Sequence, residues 1–186
     1  MQSRKTPALP SFAEKRSSTY AKARYAKFKL SRIAHSTFMA ITEHPPTGSL
    51  LMCDFTQGFR PPEMIKHRLV VVLSPKIRGR PGLCTVVALS TTPPIPEMPY
   101  HCTIDIRPRL PAHFQSDGIW VKGDMIYAAG FHRLDFIRRG KDATGKRLYY
   151  NHLISREDMN RIRACVLSGI GLSNLTKHLA SHTSKT

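Results

Sequence analysis

Acidic residues are scarce in this 186-residue chain: 12 Asp and Glu stand against 29 Lys and Arg, giving a formal net charge of +17 and a pI near 10.3. So large an imbalance points to a polyanionic partner, nucleic acid ahead of an anionic membrane surface. Cysteines number four, Cys53, Cys84, Cys102 and Cys165, all far apart in sequence. Without a CxxC pair there is no zinc-ribbon spacing, so these residues read as buried, reduced thiols of a cytoplasmic protein. Long apolar runs are missing too; none approaches the roughly 20 residues of a membrane span. The basic N-terminus lacks an apolar h-region and does not read as a secretory signal. No P-loop, GxGxxG or HExxH motif occurs, which removes the nucleotide-binding and zinc-protease chemistries those motifs mark.

What is present changes character along the chain. Residues 1–42 hold nine Lys and Arg and one acid, Glu14, so they carry +8 of the total and leave +9 to the remainder. They read as a basic N-terminal extension, partly helical or disordered, with a basic helix from Ser18 to about Ile33. Met39 offers an alternative start just before the composition shifts. Residues 43–172 read as the folded domain. Strands are expected from Ser49 to Phe55, Leu69 to Ser74, Cys84 to Ser90, Tyr100 to Ile106 and Ile119 to Phe131, the last bent at Gly123 or Gly130. Short connections rich in Gly and Pro favour a small antiparallel barrel over βαβ units. Ser155 then caps a helix, with Asp158 three residues on. Met159, Ile162, Val166 and Ile170 share one face, and Gly171 ends the helix. Residues 173–186 read as a short helix through Leu175 to Leu179 and a frayed tail. The class is mainly β with a C-terminal helix.

The chemistry concentrates in Glu63-Met64-Ile65-Lys66-His67-Arg68, a loop running straight into a buried strand. Arginine grips a phosphate through two hydrogen bonds and keeps its charge. Glutamate and histidine can move protons. The neighbours His101 and Cys102 should face opposite ways from a strand, which argues against a thiol nucleophile with its base. Trp120 and Phe131 could stack bases, although a core position suits Trp120 better.

The order of motifs resembles the MazF/PemK family of toxin-antitoxin ribonucleases. The resemblance runs over about residues 47–170. It rests on Asp54-Phe55, Gly58, Glu63, His67-Arg68, the strand Leu69 to Ser74, Ala88-Leu89-Ser90-Thr91-Thr92 and Lys122-Gly123-Asp124. Leu69 stands where the family usually has proline, and Ser90 where it commonly has threonine. The resemblance implies a five-stranded SH3-like barrel and a symmetric homodimer. It also implies a metal-independent, cofactor-free ribonuclease that cuts single-stranded RNA and is restrained by an antitoxin. The ribose 2′-OH would attack its own phosphate, leaving a 2′,3′-cyclic phosphate and a 5′-OH. Arg68 would then clamp the phosphate and could protonate the leaving oxygen. Glu63 or His67 would be the base. Ser90 or Thr91 would hold a phosphate oxygen. Lys122 and Asp124 would add a second charge and a proton-handling or orienting carboxylate, and Lys66 would contact RNA. Two other readings stand beside this one: a non-catalytic nucleic-acid-binding module on the same barrel, and a gyrase-targeting toxin like CcdB, whose fold is similar.

Overall fold

Three consecutive valines mark the centre of the fold. Strand β2 (His67–Val72) carries Val70, Val71 and Val72, all fully buried, because it is covered on both faces. Alternate side chains of a strand point opposite ways, so the run divides between two apolar clusters. One joins Leu50, Leu69, Val71, Val87, Leu89 and Val121 to Met159, Ile162 and Cys165 of helix α1 (Arg156–Gly169). The other joins Leu51, Cys53, Val70, Val72, Cys84 and Val86 to Phe55 and Leu134. Each such aliphatic side chain contributes roughly 1.5–3 kcal/mol when fully buried.

The computed structural model describes residues 41–114 and 118–177. The expectations for Ser18 to Ile33, Met39 and Ala180 to Thr186 fall outside these residues. Strands β1 (Leu50–Asp54), β2, β3 (Leu83–Ser90), β4 (His101–Ile104), β5 (Ile119–Gly130) and β6 (Leu134–Phe136) form one antiparallel sheet in the order β4-β5-β3-β2-β1-β6. Strands β7 (Arg138–Lys141) and β8 (Arg147–Tyr149) form a separate two-stranded ribbon. All five expected strands are present. The sheet has six strands rather than five, because the three-residue β6 is too short for its alternation to signal a strand. Its hydrogen-bonded ladder is open among the described residues, with β4 and β6 at its ends.

The bend in β5 falls at Gly123. Partners of β3 jump from Ile126 to Lys122 between Val87 and Ala88, so three residues of β5 bulge outward there. A Cβ on Gly123 would lie 2.5 Å from the backbone of Cys165 and 2.7 Å from the Tyr100 carbonyl oxygen. Only glycine lets helix and bulge approach so closely.

Helix α1 begins as the sequence indicates. The Ser155 hydroxyl accepts a hydrogen bond from the Asp158 amide at 3.0 Å. Gly171, at φ +78°, follows its end. Met159 and Ile162 are buried and Val166 is half-buried, but Ile170 is 55 % exposed. Ile170 lies beyond the last helical residue and so leaves the apolar stripe. Of the helix expected from Leu175 to Leu179, the described part is a 3-10 turn at Ser173–Thr176 leading into a helical Lys177; His178 and Leu179 lie outside the described residues. No helix among the described residues is long and apolar enough to cross a membrane. All four cysteines are free thiols; three are buried, while Cys102 is only half-buried. Burial pushes Cys53 up to about 12 and Cys84 up to about 11.

Candidate active site

Strand register assembles the site. Leu51, Val70, Ala88, Lys122 and His101 form one row across five strands. Carried two residues along, the same register sets Arg68 abreast of Ser90, with Cys53 on one side and Trp120 on the other. Adjacent strands lie about 4.8 Å apart, so Arg68, Ser90, Trp120 and Lys122 share one face within side-chain reach. Helix α1 covers the opposite face through Val71, Val87 and Val121. Arg68 is half-buried, and its Nε is buried with no hydrogen-bond partner among the described residues. The Ser90 hydroxyl accepts from the Thr92 amide at 3.1 Å and can donate to the Thr92 carbonyl at the same distance, closing the turn after β3. Trp120 is half-buried rather than sealed in the core, and Phe131 packs against the cluster around Phe55.

His67 is separated from this group. It follows the register one residue before Arg68 and so faces the other way, where its Nε2 lies 3.7 Å from Asp54. Burial alone would raise the Asp54 carboxyl. Hydrogen bonds from Thr56, with the charges of His67 and Arg133, outweigh it and hold the group below its usual range. Strand β2 begins at His67, two residues earlier than the apolar run suggests. Hence the loop does not deliver imidazole and guanidinium to one place.

Glu63 stays in the loop, exposed, accepting from the Arg60 amide at 2.9 Å. Among the described residues it pairs with neither Lys66 nor Arg68. The loop itself is fastened at two points. Arg133 donates to the carbonyls of Asp54 at 3.2 Å and Gln57 at 2.8 Å, with its guanidinium 5.2 Å from the Phe59 ring centre. Phe59 packs edge-on to Phe55 and Tyr127. Burial raises the Tyr127 phenol above its ordinary range, so it stays protonated. Lys66 is exposed just before β2, and Thr91 is half-exposed just after Ser90.

The bulge carries Asp124 out toward solvent, and His101 meets it there. His101 Nε2 lies 3.7 Å from Asp124 Oδ1; the imidazole side chain is 8 % exposed and the carboxylate side chain 37 %. Nδ1 of the same ring accepts from the Met98 amide at 3.1 Å. Burial depresses the His101 pKa, and Lys122 adds to this against the opposing pull of Asp124 and Glu97. Burial likewise lowers Lys122, opposed by Asp124. His101 was not among the residues singled out as a site from the sequence. The missing signal is non-local, since its pairing with Lys122 exists only once β4 and β5 are in register.

A cationic face with a hydroxyl and a carboxylate at its rim, on an antiparallel sheet backed by one helix, makes this a mainly β protein with one strongly charged face. The chain belongs to the PemK-like, MazF-like toxin family of type II toxin-antitoxin systems, whose pattern it matches over residues 47–168. It is similar to the Escherichia coli (strain K12) protein YifN, 30 % identical over 155 residues covering 74 % of this chain and 99 % of that protein. It is also similar to a Haemophilus influenzae protein, 29 % identical over 149 residues covering 74 % and 98 %. Among solved structures, similar chains include an endoribonuclease in complex with its cognate antitoxin from a mycobacterial species. That match has a TM-score of 0.46 and 18 % identity, covering 69 % of this chain and 97 % of the other. Another is MazF from Deinococcus radiodurans, with a TM-score of 0.43 and 18 % identity over 69 % and 99 %.

Proposed function

We propose that this protein is the toxin of a toxin-antitoxin pair and an endoribonuclease that cleaves single-stranded RNA without a metal ion. The observation that carries this reading is Arg68 beside Ser90 and Lys122 on one sheet face, with the buried Arg68 Nε lacking a partner. In the proposed reaction Asp124 takes the proton of the ribose 2′-OH as its oxygen attacks phosphorus. Arg68 and Lys122 meet the charge gathering on the phosphorane oxygens, and Ser90 donates to one of them. Lys122, with its lowered pKa, is better suited than Arg68 to protonate the departing 5′-oxygen. The products are a 2′,3′-cyclic phosphate and a 5′-OH. Glu63 has the weaker claim to be the base because its carboxylate already accepts from the loop backbone. His67 faces away from the reaction and is left to pair with Asp54. Lys66 and Thr91, at the rim, serve RNA binding. The wider reading is a cytoplasmic homodimer with an SH3-like barrel, held inactive by an antitoxin.

The test is to incubate the protein with a long RNA in EDTA and map the new ends. Cyclic phosphate and 5′-OH termini are expected. Activity lost in EDTA and restored by a divalent ion would overturn the metal-free mechanism. RNA binding without any cleavage would favour the non-catalytic module.

A further inference from the structure

We propose that His101 is a positioning residue for this site, its Nε2–H holding the Asp124 carboxylate in the orientation that accepts the 2′-hydroxyl proton. This rests on reading the face as a ribonuclease site, and it adds a residue to that site. Three observations carry it. The ring is almost closed to solvent, so it does not reach RNA. Its Nδ1 is already occupied as acceptor of the Met98 amide, which puts the proton of the neutral ring on Nε2. Nε2 then faces Asp124 Oδ1 at 3.7 Å. That is beyond hydrogen-bond range, and catalytic contacts commonly tighten when substrate binds.

With Nδ1 taken by the Met98 amide and Nε2 carrying the ring proton, neutral His101 has no free lone pair for a substrate proton, so it acts through Asp124. The groups facing it are Lys122 and Asp124 on β5 and Glu97 in the loop before β4. Burial and Lys122 keep the ring neutral near pH 7, and a neutral donor orients a carboxylate without neutralising it. The backbone below Asp124 is equally constrained. The Gly123 amide donates to the Tyr100 carbonyl at 2.9 Å, and helix α1 packs directly on the Gly123 Cα. The bulge therefore fixes the main chain and His101 fixes the side chain.

The experiment has an arm with RNA and an arm without. In cleavage assays His101→Phe, which keeps a ring against Tyr100 but has no N–H, should lower kcat about tenfold or more with KM little changed. His101→Gln, with an amide donor of similar reach, should recover part of the loss. In an Asp124→Ala background, His101→Phe should cost nothing further. Equal losses with and without Asp124, or an unchanged kcat in folded His101→Phe, would overturn the proposal. In the RNA-free arm, 15N NMR should find the Nε2–H tautomer. Asp124→Asn should lower the His101 pKa further, because the carboxylate charge raises it. A His101 pKa unmoved by Asp124→Asn would also overturn the proposal. Absence of cleavage by the wild-type protein would instead sink the ribonuclease reading and leave the NMR result to decide the contact.

Discussion

The half-buried Arg68 guanidinium has an Nε with no partner among the described residues, and a buried donor left so costs about 1–3 kcal/mol. A bound phosphate oxygen would remove that penalty. Arg68→Ala should therefore cut turnover roughly 100- to 1000-fold while leaving the melting temperature unchanged or raised. Steady-state cleavage and a thermal melt check both halves. Arg68→Lys should recover only part of the rate, because an ammonium does not reproduce the two-pronged contact. Wild-type turnover in folded Arg68→Ala would remove Arg68 from the site. The place of Arg68 at the start of the buried strand was legible in sequence from the charged loop that precedes the valine run. His67 and Arg68 part company for a physical reason: the strand extends two residues beyond its apolar core, and alternation then turns His67 to the other face. Cys53 makes a separate test. Its folded pKa of about 12 lies above the unfolded value of about 8.5. Its contribution to stability is full below the unfolded value and falls as pH rises through the folded one. The urea midpoint should drop from about pH 8.5 upward, and Cys53→Ala should flatten that drop while lowering stability overall.

At the scale of the element, helix α1 was readable because its signals are local. The Ser155 cap, the Asp158 amide and Gly171 all lie within a few residues of the ends they define. Ser155→Ala should cost about 1 kcal/mol in a denaturation experiment. The bulge in β5 was readable only as a glycine in a strand. What it does depends on Cys165, more than forty positions away in sequence, and on Tyr100 in a third segment. Gly123→Ala should displace the helix backbone, at a cost of about 1–3 kcal/mol. It should also lower activity more than the loss of folded protein explains, because Asp124 moves with the bulge. A crystal structure of the variant with Asp124 undisplaced would contradict this. Strand β6 and the β7–β8 ribbon escaped the sequence because strands of three or four residues are too short to show an apolar period.

For the whole molecule, charge is the dominant property. Residues 1–42 carry +8 of the +17, and the ribbon adds Arg138, Arg139, Lys141, Lys146 and Arg147. A chain beginning at Met39 should melt near the temperature of the full chain. It should bind RNA more weakly, with a shallower slope of log affinity against log salt, because fewer counterions are released. An unchanged slope would show that the first residues do not meet the nucleic acid. The loop between β1 and β2 has a further consequence for anyone redesigning the protein. Arg133 anchors its beginning through the carbonyls of Asp54 and Gln57, and Phe59 is held between Arg133 and Tyr127, so none of these anchors is a side chain of Arg60 to Glu63. The stretch from Arg60 to Glu63 is thus a natural graft site. Its length and sequence could be exchanged between relatives while the sheet below is left as it is.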